Sequence, residues 1–391
     1  MSNISQFFKG DTRKKNRKIF VGPSSNVTWT APPSTSEIEV HVWGGGGHGG
    51  AASPGEGHEG GGGGGYVGNT FQVVGGSTVV VSAGAAAGTS TAVITNPNGA
   101  STLTATGGVP GGPYAPEPTR GNAGSGSYSL HPAEPTVCVF TASGGVSRNS
   151  GPDWPQSQRC YNAPSGGGGA GFIYGPGGNG GVVPGYFAPQ YPSGLPSSQL
   201  RASPGGGGIK GDGGYALAVS PYPFAPGGIG GAGGGFMNGD HGGLDGCRSQ
   251  IAFGGAGISG RFMTKEGTIS GNNSVDAWFY LEDIDGIGGS SGSDFKRFGN
   301  PSPEYPQVTY AKNGLAGGGG AGFPSNNNLS VNYGRIQAGH GGIFGGGGGG
   351  GSNGIGGNGG FGGGGGGGRY SSFGNYSFSG EGGSGIVIIY Y

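Results

Sequence analysis

The run GGIFGGGGGGGSNGIGGNGGFGGGGGGG, from Gly341 to Gly368, constrains this chain more than any other feature. Aperiodic glycine-rich sequence stays disordered, because glycine loses the most backbone freedom on ordering and has no side chain to bury. This run has a period. Ser352, Ile355, Asn358 and Phe361 stand three apart, with glycine in nearly every place between. Pro226, Ile229, Ala232 and Asn238 repeat the pattern, and so do Ala170, Ile173, Pro176, Asn179 and Val182, interrupted by Phe172 and Tyr174. Glycine supplies 107 of the 391 residues, and tracts like this one recur from Gly44 onward.

A period of three fits neither an α-helix nor a strand. It belongs to the extended polyproline-II conformation, which rises about 3.1 Å per residue and has no internal hydrogen bonds. Every N–H and C=O must then pair with a neighbouring helix. Ordering each residue costs about 1–2 kcal/mol. A net hydrogen bond returns about 0.5–1.5 kcal/mol and a Cα–H···O contact about 0.5–1. The balance closes only when nearly all backbone groups are paired, and one side chain on a bare face would break several bonds at once. The expected structure is a packed bundle of polyglycine-II helices. All-glycine runs lie inside, and G-G-x runs lie at the edge with the third residue outward. Aromatic-rich connecting loops are expected at both ends of this slab.

Residues 19–106 read as β structure. IFV and VTWTAP flank a GPSSN turn, and SEIEVHVW alternates, with Ile38, Val40 and Val42 on one face and Glu37, Glu39 and His41 on the other. FQVV, TVVVSAG, TAVIT and STLTAT continue the series, with NPNG as a hairpin turn. The closing GIVIIYY is too apolar to stand alone and is expected to pair with the N-terminal strands. The fold class is therefore all-β: a small sandwich of residues 19–106 completed by 384–391, with a polyglycine-II region inserted at 107–383. Residues 1–18 form a lead in which Ile4, Phe7 and Phe8 suit one amphipathic turn. Its basic run, Arg13 to Lys18, is ordinarily a solvated charge run; the alternative is docking on a partner protein.

Chemistry-bearing motifs are sparse. Lys+Arg equals Asp+Glu at 19 each, and RGG repeats are absent, which argues against nucleic-acid binding. Three cysteines far apart suggest neither a disulfide framework nor a zinc site. There is no G-K-[ST] phosphate loop, and His58-Glu59 is not part of an H-E-x-x-H. Asp283, Asp285 and Gly286 give half of a calcium loop without its later ligands. The expectation is no enzyme, no cofactor and no metal. No segment is long enough to span a membrane, and the first residues lack the apolar core of a signal peptide, so synthesis in a cytoplasm is expected.

What remains are aromatic-bearing segments on a rigid frame. Tyr and Trp give large contact area at low entropic cost. Trp154, Tyr186, Phe187, Tyr191, Tyr222, Trp278 and Tyr376 are the candidate contact residues, although half or more of such rings are expected to fold back as a lid over the slab ends.

Two end motifs, NVTWTAPPSTSEIEVHVWGGGG and GGSGIVIIYY, resemble the glycine-rich domain of bacteriophage tail-fibre proteins. The middle is similar in composition and rhythm to the tip adhesins of T-even-like phages, whose glycine motifs form a polyglycine-II sandwich between variable receptor-binding loops. The resemblance implies a virion component recognising a bacterial surface receptor, attached to other tail proteins through residues 1–18 and the β domain, with a homotrimer as one arrangement. A recognisable fibre shaft is missing, which is a departure from the fibre pattern. The alternative reading is a structural tail or baseplate connector whose loops touch only other virion subunits. A secreted wall protein and a depolymerase are disfavoured, the first by the missing signal, the second by the lack of paired carboxylates.

Overall fold

The structure, a computed structural model, describes residues 16–50, 59–97, 99–112, 121–132, 139–147, 166–173, 175–180, 206–208, 213, 339–348, 355–368 and 379–391, with the backbone of 201–203, 235–237, 249–250, 294–296 and 307–309. Its regular elements are all strands. Two five-stranded antiparallel sheets form a sandwich. In chain order the strands are β1 (Arg17–Val21), β2 (Ser24–Thr30), β3 (Glu37–Trp43), β4 (Tyr66–Gln72), β5 (Thr78–Ala83), β6 (Ser90–Asn96), β7 (Gly99–Ala105), β8 (Gly126–Ser129) and β9 (Phe140–Ala142). Short strands β10 (Arg201–Ser203), β11 (Gly235–Met237) and β12 (Ser249–Gln250) pair together, as do β13 (Asp294–Lys296) and β14 (Gln307–Thr309). The closing strand, β15 (Ile386–Tyr390), lies in the first sheet, whose order is β1-β15-β3-β4-β9; the second is β2-β5-β6-β7-β8.

The alternation in SEIEVHVW does what its period dictates. Ile38, Val40 and Val42 are fully buried between the sheets with Val67, Phe71, Val387 and Ile389, against Val79, Val81, Ile94 and Leu103 of the second sheet. The GIVIIYY strand sits between β1 and β3, pairing Phe20↔Val387 and Val40↔Ile389, so the chain's two ends close one sheet. The hairpin expected at NPNG is present, with Asn96 paired to Gly99. Strands β8 and β9 come from Gly126–Ser129 and Phe140–Ala142, stretches that the sequence reading placed in the glycine-rich region. Both are short, and GSYS and FTA carry no period-two signal of their own.

β15 is apolar on both faces because both are covered. Ile386 and Ile388 point away from the sandwich core into a second buried cluster with Trp43, Tyr66, Ala170, Phe172, Ile343 and Phe344. That cluster is the seam between sandwich and glycine tracts.

Candidate functional site

Strands β3, β4, β7, β8, β9 and β15 all run directly into glycine tracts at one end of the sandwich, and the strand register continues into them. The pair Trp43↔Tyr66 closes the β3–β4 ladder. One step further out, Gly44 N–H donates to the Gly65 carbonyl at 3.0 Å, and then, three residues on along both tracts each time, Gly47 to Gly62 and Gly50 to Glu59. Ile386↔Trp43 continues as Gly46 to Gly383 and Gly49 to Gly380. Ala105↔Gly126 continues as Thr106 to Ser125 and Val109 to Asn122, and Tyr66↔Ala142 as Gly63 to Gly145. The period changes from two to three at the strand ends, while the pairing in space does not. Three residues per turn returns every third N–H to the same neighbour, as polyglycine II requires.

Tract 59–65 shows why the positions are glycine. Its N–H groups donate to three neighbours: Gly61 and Gly64 to tract 362–368, Gly62 and Gly65 to tract 106–112, and Gly63 to tract 143–147. Its carbonyls accept from three more, with Gly47 of tract 44–50, Gly124 of tract 121–125 and Gly168 of tract 166–171 among the donors. The tract is thus surrounded on all sides, and Gly60 to Gly65 are buried. A methyl group added at Gly61, Gly62, Gly63 or Gly64 would sit on the carbonyl of Gly47, Asn122, Gly169 or Gly44. Tracts 166–171 and 362–368 bond to tract 59–65 and to each other, so the three form the centre of the bundle.

Side chains interrupt the glycine where a tract meets solvent. His48, Val109, Pro110, Pro176, Asn179 and Glu381 are exposed beside buried glycines, as the G-G-x pattern requires. Ala170 departs from it. The period places Ala170 on the outside, yet it is fully buried, because its tract ends against the aromatic seam. There Trp43 lies 4.7 Å from Phe344 and 4.9 Å from Tyr66 between ring centroids, and its indole N–H donates to the Gly171 carbonyl at 2.9 Å. Two hydrogen-bonded turns reverse tracts next to this seam, Gly342–Gly345 and Gly360–Gly363. Their third residues are left-handed: Gly362 at φ 67° and Phe344 at φ 64°. Glycine takes that conformation freely, whereas Phe344 is strained there by about 1–2 kcal/mol and its ring fills the seam in return.

The end of the bundle away from the sandwich carries the connections. Segment 51–58 leaves from Gly50 and returns at Glu59, 113–120 joins Gly112 to Gly121, 148–165 joins Ser147 to Gly166, and 369–378 joins Gly368 to Ser379. The roots are tied, Gly50 N–H to the Glu59 carbonyl at 2.8 Å and the Ser147 hydroxyl to the Gly166 carbonyl at 2.6 Å. The sequence reading put loops at both ends. Among the described residues, the tracts at the sandwich end become strands or reverse in tight turns. All seven candidate aromatics, Trp154, Tyr186, Phe187, Tyr191, Tyr222, Trp278 and Tyr376, lie outside the described residues, as do Ile4, Phe7 and Phe8 and the Asp283–Gly286 turn.

Two polar features remain on the sandwich. His41, nearly buried, bonds the Tyr66 hydroxyl through Nδ1 at 2.7 Å and the Glu39 carboxylate through Nε2 at 2.9 Å. Burial, reinforced by the Glu39 charge, pushes the Tyr66 hydroxyl well above the usual tyrosine range, so it stays neutral and orients the imidazole. A pocket of about 300 Å³ lies at the opposite end from the glycine tracts, between the Pro32–Ser36 turn, Asn16 and Tyr391. Among the described residues no group of three His, Cys, Asp or Glu side chains is placed to hold a metal ion.

A family model described as a glycine-rich domain matches residues 22–247, more than half of the chain. No curated protein and no solved structure matches. The match begins just after β1 and takes in strands β2 to β9 with the first part of the glycine tracts, while β1 and β15 of the first sheet lie outside it. The chain belongs to the glycine-rich domain family.

Proposed function

We propose that the chain is a bacteriophage tail adhesin, at the fibre or its tip, that contacts a bacterial surface receptor through the segments mounted on its glycine bundle. The observation that carries this reading is the one-ended mounting. Segments 51–58, 113–120, 148–165 and 369–378 all spring from the bundle end opposite the sandwich, the first three from roots tied by the hydrogen bonds Gly50 to Glu59, Glu59 to Gly112 and Ser147 to Gly166. Recognition segments on a rigid scaffold are a common way to bind a partner, because the scaffold has already met the ordering cost of the roots. The sandwich end, with residues 1–18 and the turn around Pro32–Ser36, is then the side that joins other tail proteins, and the working place of the protein is the virion.

Adsorption competition tests the reading. Purified protein is added to host cells before the phage that encodes it, and unadsorbed phage are counted. Dose-dependent blocking, lost when the Tyr186–Tyr191 or Trp278 stretches are replaced by Gly-Ser, is the expected result. Folded protein that neither binds cells nor blocks phage overturns it and leaves the connector reading in front.

A further inference from the structure

The pocket at the far end of the sandwich has walls of tied backbone. Thr35 N–H donates to the Pro32 carbonyl at 3.0 Å, and Val73 N–H to the Ser36 carbonyl at 2.9 Å, so the turn between β2 and β3 is closed and held to the end of β4. Gly75 lets the following turn approach it, since a Cβ added there would meet the Pro33 backbone. On the other side Asn16 and Tyr391 exchange backbone hydrogen bonds at 3.3 and 3.1 Å, and the Tyr391 ring rests against Trp29 with centroids 5.0 Å apart. The lining is polar and its charge has one sign. Asn16, Ser34, Thr35 and Ser36 bring amide and hydroxyl groups, Glu37 brings the one carboxylate, and no Lys, Arg or His is among the described lining residues. Arg17 stands in the cross-strand row of Tyr390 and Glu39 and is not part of that lining. Gln72 Nε2 donates to Glu37 Oε2 at 2.9 Å. A carboxylate accepts at about four positions, so this bond orients the group without saturating it.

We propose that this pocket seats a basic side chain, arginine or lysine, of the tail protein on which the sandwich is mounted, with Glu37 as its counter-ion. Charge complementarity selects the guest, because a cation gains from the carboxylate what a neutral or acidic group does not. The donors of a guanidinium find the carboxylate, the three hydroxyls and the Asn16 amide oxygen as acceptors, and its flat face suits the Tyr391 ring. A volume of about 300 Å³ stands at the small end of binding pockets, which suits one side chain rather than a length of backbone. The proposal rests on the adhesin reading given above, which turns this end toward the tail, and supplies the chemistry of the partner there.

Two measurements on the full chain test it. Amide shifts of Thr35, Ser36 and Glu37 are followed on titration with acetyl-arginine methylamide, and with glucose as a neutral polyhydroxyl probe. The arginine probe is expected to move them, and Glu37→Gln to weaken its binding about tenfold or more through loss of a charged hydrogen bond. Phage carrying Glu37→Lys are expected to hold about tenfold fewer copies of the protein per particle, while the purified variant still blocks adsorption and is thereby shown to fold. If it does not block, copy number is read from Glu37→Gln phage, with a fall in the same direction expected. No response to arginine, a stronger response to glucose, or undiminished arginine binding in Glu37→Gln overturns the basic seat. An arginine response that appears only after Arg13, Lys14 and Lys15 are changed to alanine places the chain's own basic run in the pocket and overturns the partner. Normal copy number in the variant phage overturns the joining role and leaves the adhesin reading standing. Failure of the wild-type protein to block adsorption overturns that reading, while the titration and the copy number still judge the seat.

Discussion

The indole N–H of Trp43 donates to the carbonyl of Gly171 at 2.9 Å, joining the last residue of a sandwich strand to a glycine tract 128 positions away in the chain. The bond is buried, and its ring neighbours Phe344, Phe172 and Tyr66 come from three other parts of the sequence. Trp43 therefore couples the two halves of the fold.

Trp43→Phe keeps an aromatic ring in the seam but leaves the Gly171 carbonyl unpaired. A destabilisation of about 1–3 kcal/mol is expected from the stranded acceptor. Trp43→Ala adds a cavity and is expected to cost about 3–5 kcal/mol. Denaturant unfolding of both variants checks the order, Ala well below Phe.

Gly63 lies in the middle of the central tract, where an added methyl meets the Gly169 carbonyl. The atoms it meets, of Gly169 and Ala170, are all backbone, so the methyl is accommodated only by separating helices. Gly63→Ala is expected to destabilise by about 3 kcal/mol or more, at the upper end of overpacking effects. Val109→Ala, on an exposed rim position of a neighbouring tract, is expected to stay within about 0.5 kcal/mol. Equal effects of the two substitutions would rule out a close-packed bundle.

Several of these relationships were visible in the residues and several were not. Period-two alternation marked β3, whose buried face is apolar and whose other face carries Glu37, Glu39 and His41. The uniform apolarity of GIVIIYY marked a strand covered on both sides, and the period of three marked the glycine helices. β8 and β9 escaped because four and three residues hold two alternations at most. Asn179 and Asn358 were legible as outward positions of a G-G-x repeat, while His340 was not read as one; all three accept a backbone N–H of an adjoining tract. Their role as acceptors depends on which tract lies beside them, and a sequence period does not carry that. Trp43 at the end of VHVW gave no sign that its partner would be Gly171.

His340 supplies a pH dependence with a definite sign. Burial lowers its pKa below the usual histidine value, and its Nδ1 accepts a backbone N–H, so the fold favours the neutral ring. The unfolded chain takes up the proton first as pH falls. This contribution is complete above the unfolded value of about 6.5 and is lost as pH drops through it toward the folded pKa. His340→Asn keeps a δ acceptor without a titrating group. Unfolding midpoints at pH 8 and pH 5 are expected to differ more for the wild type than for this variant; equal differences would remove His340 as a cause.

The central claim is that strand register is carried into a lattice of period three, and an insertion series between Trp43 and Gly44 tests it most directly. One added glycine moves His48 to the place of Gly49, whose added side chain would meet Gly366, and two move it to the place of Gly50, against Gly112. Three restore the phase, returning the histidine to an outward face one turn further along, about 9 Å at the polyglycine-II rise. Unfolding stability and tract amide exchange should fall sharply for one and two added glycines and recover for three. A steady loss with insert length, without recovery at three, would contradict the lattice and the rigid mount built on it.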